Sequence, residues 1–175
     1  MKQTECVKVL AGTGRRVFLK RDLARLLGHG GDVATDKTVS RLVSSGLLER
    51  VCRGVYRFPL APPVPGVADV YLVASALRRG QYVFESLETA ASEYGLISQV
   101  PLGALTLMTT GREGTFDTAC GTIEFVHTKA SVPEILANTV ARPRCPVRVA
   151  TEDYVVRNLR RCGRGADLLR EARQP

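Results

Sequence analysis

The chain has 175 residues, 45% of them hydrophobic, and a formal net charge of +8, which suits an ordinary globular protein with one compact core or two small ones. Its longest apolar stretches, such as VYLVASAL at 70–77, are too short to span a bilayer, and the N-terminus has no apolar signal core, so a cytoplasmic protein with no membrane partner is expected. Five scattered cysteines without a C-x-x-C pair fit neither a disulfide framework nor a zinc site, and are read as reduced thiols.

The charge is unevenly placed. Residues 1–60 hold 12 Lys/Arg against 5 Asp/Glu, residues 61–130 hold 4 against 7, and residues 131–175 hold 9 against 5. A positive field concentrated at the N-terminal end suits a polyanionic partner, because neutralising phosphates releases condensed counterions.

Three helices are predicted first. One covers about 3–11, with Cys6, Val7, Val9 and Leu10 as its apolar stripe. A second covers about 20–27, through Leu23, Leu26 and Leu27, and stops at Gly28. After the glycine-rich turn GHGGD, a third begins near Thr35 or Asp36, buries Val39, Leu42 and Val43, and ends at Gly46. Lys37, Thr38, Ser40, Arg41 and Ser44 are then read as facing outward. Two helices across a short turn, the second presenting small polar and basic side chains, match a helix-turn-helix whose second helix enters the major groove.

The stretch LLERVCRGVYRF has β-forming runs on either side of Arg53-Gly54, a hairpin signal. Arg50, Arg53 and Arg57 decorate that hairpin, which as a wing would meet backbone phosphate or reach a minor groove. A solvated hairpin covering a small domain used for protein contacts is the alternative. The proline-rich PLAPPVPG then reads as an interdomain linker, giving a first domain over 1–58, a linker over 59–67 and a second domain over 68–175.

The second region reads as an α+β unit with a small, mainly antiparallel sheet. Helices are predicted over 68–79 and from Leu87 to Gly95, and a strand over 104–110. Strands near 115–119 and 122–127 flank Cys120-Gly121, and a short strand covers Pro146 to Val149. A helix capped by Thr151 runs to Arg160 and Arg161, and a final helix covers about 164–173.

The run RRVFLKRDLARLLG followed by TVSRLVSSGLLERVCRGVYRFP resembles the N-terminal winged helix-turn-helix of AbiEi-type antitoxins, the antitoxin half of type IV toxin-antitoxin systems. FESLETAASEYGLISQVP is similar to that family's small-residue helix ending in Gly-Leu before a proline, and VRVATEDYVVRNLRR falls where such proteins have a strand and then a helix. The resemblance implies a repressor of its own operon that binds double-stranded operator DNA, usually at inverted repeats. It also implies a protein that opposes a nucleotidyltransferase-like toxin without a stable complex. Arg148, Arg157, Arg160, Arg161 and Arg164, with Arg142 and Arg144 nearby, are a second candidate basic surface, for DNA, for RNA or as a solvated face.

Catalysis is weakly signalled. Asp117 and Glu124 on facing strands would hold the magnesium ion of a nuclease, and His127 or Lys129 lies nearby, yet Val126 stands where such a core needs a cation. Glu124 is read as a solvent-facing strand residue. GTGR at 12–15 lacks the phosphate-loop frame, His29 and His127 have no partner ligands at regular spacing, and Ser86 lacks a nucleophile elbow and suits a helix cap. No enzymatic activity, metal or cofactor is expected. A regulator with a ligand-sensing or protein-binding second domain and no toxin is the alternative function.

Overall fold

A computed structural model describes residues 2–28, 32–97 and 103–164, and the chain forms two compact units, Met1–Leu77 and Arg78–Pro175. The first unit contains α1 (Gln3–Gly12), β1 (Val17–Leu19), α2 (Lys20–Leu26), α3 (Asp32–Ser44), β2 (Glu49–Cys52), β3 (Val55–Arg57) and α4 (Asp69–Leu77). Its core gathers Leu10, Phe18, Leu23, Leu42, Leu48 and Phe58, all essentially inaccessible to solvent.

Local chemistry sets the helix ends. The Glu5 carboxylate accepts from the Lys2 N–H at 2.8 Å and closes the first turn of α1. Asp22 does the same for α2 by accepting from the Leu19 N–H at 3.0 Å. At the end of α3, Gly46 takes φ +72°, and the Leu47 and Leu48 N–H groups then turn back to the Leu42 carbonyl at 2.9 and 3.1 Å. Sequence periodicity starts α3 at Thr35 or Asp36; in the structure it begins at Asp32, and Thr35 is buried within it.

The hairpin forms at Arg53-Gly54 as predicted, but it belongs to a three-stranded antiparallel sheet in the order β1-β3-β2. The three-residue β1 is too short for its alternation to register in sequence. It makes β3 the central strand, with Val17 opposite Arg57 and Leu19 opposite Val55.

The proline-rich segment lies inside the first unit rather than between the two. Ala61 and Val67 are buried, and α4 packs against β1 and β3. Asp69, the first residue of α4, accepts from Arg16 Nε at 2.8 and 3.0 Å and from Arg57 Nη1 at 3.0 Å. Arg16 also donates to the Ala61 carbonyl, and Arg57 donates to Glu49 at 2.7 Å. One carboxylate thus joins the chain before β1, the central strand and the helix after the prolines. The division between units accordingly follows Leu77 instead of the proline run.

The second unit contains β4 (Val83–Glu85), α5 (Leu87–Glu93), β5 (Ala104–Thr109), β6 (Gly114–Thr118), β7 (Gly121–His127), α6 (Val132–Ala137), β8 (Thr139–Val140), β9 (Arg148–Ala150) and α7 (Glu152–Arg161). Its six strands form one sheet in the order β6-β7-β5-β4-β9-β8. The α+β class holds, but the sheet is mixed: β5 with β7 and β4 with β9 run parallel, and the other neighbours antiparallel. Phe84 and Tyr154 stack at 5.8 Å between ring centroids in a core shared with Leu87, Ala90, Ala91 and Leu159. The helix predicted over 164–173 lies, but for its first residue, outside the described residues.

Burial raises the pKa of the Asp69 carboxyl, but hydrogen bonds from Arg16 and Arg57 outweigh it and hold the group below its ordinary 3.8. A carboxyl depressed on folding stabilises above its unfolded value and loses that contribution as pH falls through the folded one. Asp69→Asn should therefore lower stability near neutral pH by about 1–3 kcal/mol, and the gap to wild type should close as acid titrates the wild-type group below 3.8. Chemical denaturation at pH 7 and in acid checks this; a gap unchanged in acid contradicts it. Arg57→Ala should likewise cost about 1–3 kcal/mol in the same measurement, and a variant as stable as wild type would remove Arg57 from the clamp.

Candidate nucleic-acid interface

The outer face of α3 follows from its buried one. Val39 and Leu42 point into the core, and at about 100° per residue Val33, Lys37, Ser40 and Ser44 fall within about 60° of one another on the opposite side. All four are exposed, with Asp36 and Arg41 flanking the stripe. Thr38 is not part of this face. It lies about 40° from Leu42 on the helical wheel and is only 8% accessible, which corrects its assignment to the outward set.

The hairpin stands at a defined place relative to these helices. The Gly54 carbonyl at its tip accepts from the Lys20 N–H at 2.9 Å, which ties the tip to the start of α2. Lys20 Nζ reaches Asp36 Oδ1 at 2.8 Å and links α2 to α3, a surface ion pair worth about 0–1 kcal/mol. Arg50 and Arg53 are exposed on β2 and at the turn. Gly54 takes φ +77°, which allows the two-residue turn that projects Arg53.

Arg57 departs from the expectation that grouped it with them. As part of the central strand it faces Glu49 across β2 and Asp69 from α4, so its guanidinium is half-buried between two carboxylates. No pattern within the hairpin segment signals the Asp69 contact, because Asp69 lies beyond the proline run. The signal available was the Glu49–Arg57 cross-strand register. The exposed cationic set on α3 and the hairpin is thus Lys37, Arg41, Arg50 and Arg53, with Ser40 and Ser44 between the charges on α3. Arg21 and Arg25 on α2, not singled out by the sequence, are exposed one helical turn apart.

The second basic set is largely bound within its own unit. Arg148 donates to the Thr139 hydroxyl and carbonyl, both at 2.7 Å. Arg157 donates to Asn138 and lies over the Tyr154 ring at 5.0 Å, and Arg161 meets Glu134 at 3.1 Å. Arg142 reaches the wholly buried Glu85 at 2.7 Å. Burial and the Glu85 charge raise the pKa of the nearby Glu93, with Arg142 opposing. Arg164 bridges Glu88 at 2.7 Å and Glu124 at 2.7 and 2.9 Å. Arg160 and Arg144 are exposed and, among the described residues, have no ion-pair partner.

That bridge bears on the catalytic readings. Glu124 faces Arg164 rather than open solvent, and the hydrogen bonds from Arg164 outweigh burial and hold its carboxyl below the ordinary value. Asp117 is opposite Thr122 in the register and accepts from its hydroxyl at 3.0 Å, while His127 Nδ1 contacts the Gly111 carbonyl at 2.8 Å. Asp117, Glu124 and His127 thus each have a protein partner of their own. Among the described residues, no group of three or more potential metal-ligating side chains is gathered, and no helix is long and apolar enough to cross a membrane.

Ser86 precedes α5 as predicted but does not cap it; its buried hydroxyl accepts from Asn158 Nδ2 at 3.1 Å. The next residue, Leu87, takes φ +55°, a left-handed conformation costing a non-glycine residue roughly 1–2 kcal/mol. Its fully buried side chain opposes that cost. Thr151 likewise stands at the N-cap of α7 without a side-chain bond to it.

No curated protein matches the chain. Among the solved structures it is similar to a crystal structure of the RV2827C protein from Mycobacterium tuberculosis, at 21% identity and a TM-score of 0.52. The match covers 80% of this chain and 49% of that one, so the chain spans about half the length of that protein, and the likeness is one of fold. Residues 10–59, which hold the end of α1, β1, α2, α3 and the whole hairpin, match the family model described as a transcriptional regulator, AbiEi antitoxin. Over this segment the chain is similar to that family.

Proposed function

We propose that the first unit is a winged helix-turn-helix that binds double-stranded operator DNA, and that the chain acts as a non-enzymatic AbiEi-type antitoxin repressing its own operon. The observation that carries this is the exposed polar and basic face of α3 together with the exposed Arg50 and Arg53 of the hairpin, within the segment that matches the family model. In this reading Lys37, Ser40, Arg41 and Ser44 approach base edges in the major groove, and Arg50 and Arg53 meet phosphate or the minor groove. Thr38 and Arg57 support the fold beneath that face. The second unit would counteract a nucleotidyltransferase-like toxin, as in a type IV system, without requiring a stable complex.

Arg160 and Arg144 are the members of the second basic set best placed to meet a nucleic acid. Arg148, Arg157, Arg161 and Arg164 are held by their own unit. A stand-alone regulator whose second unit binds a ligand or protein is the other reading, favoured by one observation: the family match ends at residue 59. A toxin gene beside this one, and co-expression of its product with this protein, separate the two. Rescue of arrested cells supports the antitoxin, and growth arrest unaltered by the protein supports the regulator.

Arg53→Ala should weaken binding to all DNA sequences alike and reduce the slope of log affinity against log salt by about one unit. Titrations across a salt series check this; equal slopes for variant and wild type contradict a phosphate contact. Arg160→Gln should leave folding unchanged and, if the second unit meets a nucleic acid, lower affinity or toxin rescue. A variant normal in both assays removes Arg160 from the interface.

A further inference from the structure

Val33 is not among the described residues that form the core of the first unit or pack against it. It is 70% accessible, the most open of the large hydrophobic residues exposed among those described. As a β-branched residue it also favours a helix less than alanine would. Single exposed hydrophobics are ordinary on protein surfaces, but this one heads the stripe that continues through Lys37, Ser40 and Ser44.

A branched aliphatic side chain on a groove-facing helix has one apolar counterpart on the major-groove base edges, the C5-methyl group of thymine. Its neighbours would supply the polar complement: Lys37 donates to guanine O6 or N7, and Ser40 bonds to either base type. Val33 and Lys37 are about 6 Å apart along the helix, against about 3.4 Å per base step, so one short DNA segment spans both.

We infer that Val33 is a specificity-determining residue that contacts a thymine C5-methyl group, so that the bound site carries a thymine at the first turn of α3. The inference rests on the reading that the outer face of α3 enters the major groove. Uracil pairs as thymine does and lacks only the methyl group, which makes uracil-substituted DNA a direct probe.

The experiment uses the full chain, DNA from upstream of its own coding region, and the same fragment copied with deoxyuridine in place of thymidine, beside scrambled DNA. Wild type should bind the uracil fragment at least about fourfold more weakly, the factor for one buried methyl group. Val33→Ala should lose a similar factor on thymine DNA and lose little more on uracil DNA, with its salt slope unchanged. Other thymine contacts affect both proteins equally, so the coupling between the two changes isolates Val33. Wild type that prefers its own DNA to scrambled but binds both substituted forms alike, or Val33→Ala that is as sensitive to uracil as wild type, overturns the inference and leaves the groove reading standing. Wild type with no preference for its own DNA overturns both. Circular dichroism guards against a folding defect, and Val33→Thr, which keeps one methyl, should retain part of the discrimination.

Discussion

The carboxylate of Asp69 is the contact on which the first unit's geometry depends. It receives guanidinium groups from Arg16, just before β1, and from Arg57 in β3, while standing at the positive end of α4. Three segments far apart in sequence meet at one acid, with Glu49 as a further acceptor for Arg57. The hairpin is therefore held from its base, and its tip is held separately by the bond from the Lys20 N–H to the Gly54 carbonyl. A hairpin fixed at both ends presents the exposed Arg50 and Arg53 at little further entropic cost when a partner binds.

This constraint sorts the basic residues into two kinds. Arg16, Arg57, Arg142, Arg148 and Arg164 lie partly buried against protein oxygens and hold elements together. Lys37, Arg50, Arg53 and Arg160 stand in solvent. A high positive charge therefore overstates the surface open to a polyanion, since a guanidinium between two carboxylates contributes little field at a distance. The second unit makes the point most clearly: among its described residues Arg142, Arg161 and Arg164 are in ion pairs with its own carboxylates, and Arg164 joins α5 to β7 through Glu88 and Glu124.

Much of the fold was legible because local signals agreed with one another. Leucines at helical spacing with a terminal glycine marked α2, and Arg53-Gly54 between β-formers marked the hairpin. Thr38 was misplaced because its hydroxyl suggested exposure, while its distance from Leu42 on the helical wheel put it inside. β1, β4 and β8 are two or three residues long, too short for a period-2 pattern to stand out. The clamp on Arg57 was invisible for another reason: its acceptor lies twelve residues away, across a proline run that reads as a break. Ser86 looked like a cap by position, and only the packing of α7 brings Asn158 to it.

The central claim is that this protein recognises a DNA sequence through α3 and the hairpin. The most direct measurement is the affinity of the purified chain for its own upstream DNA and for scrambled DNA of equal length, across a series of salt concentrations. The account predicts preference for the upstream DNA at every salt concentration, with both affinities falling steeply as salt rises. Equal, weak binding to the two would contradict it, and would leave the basic face of α3 as a solvated surface.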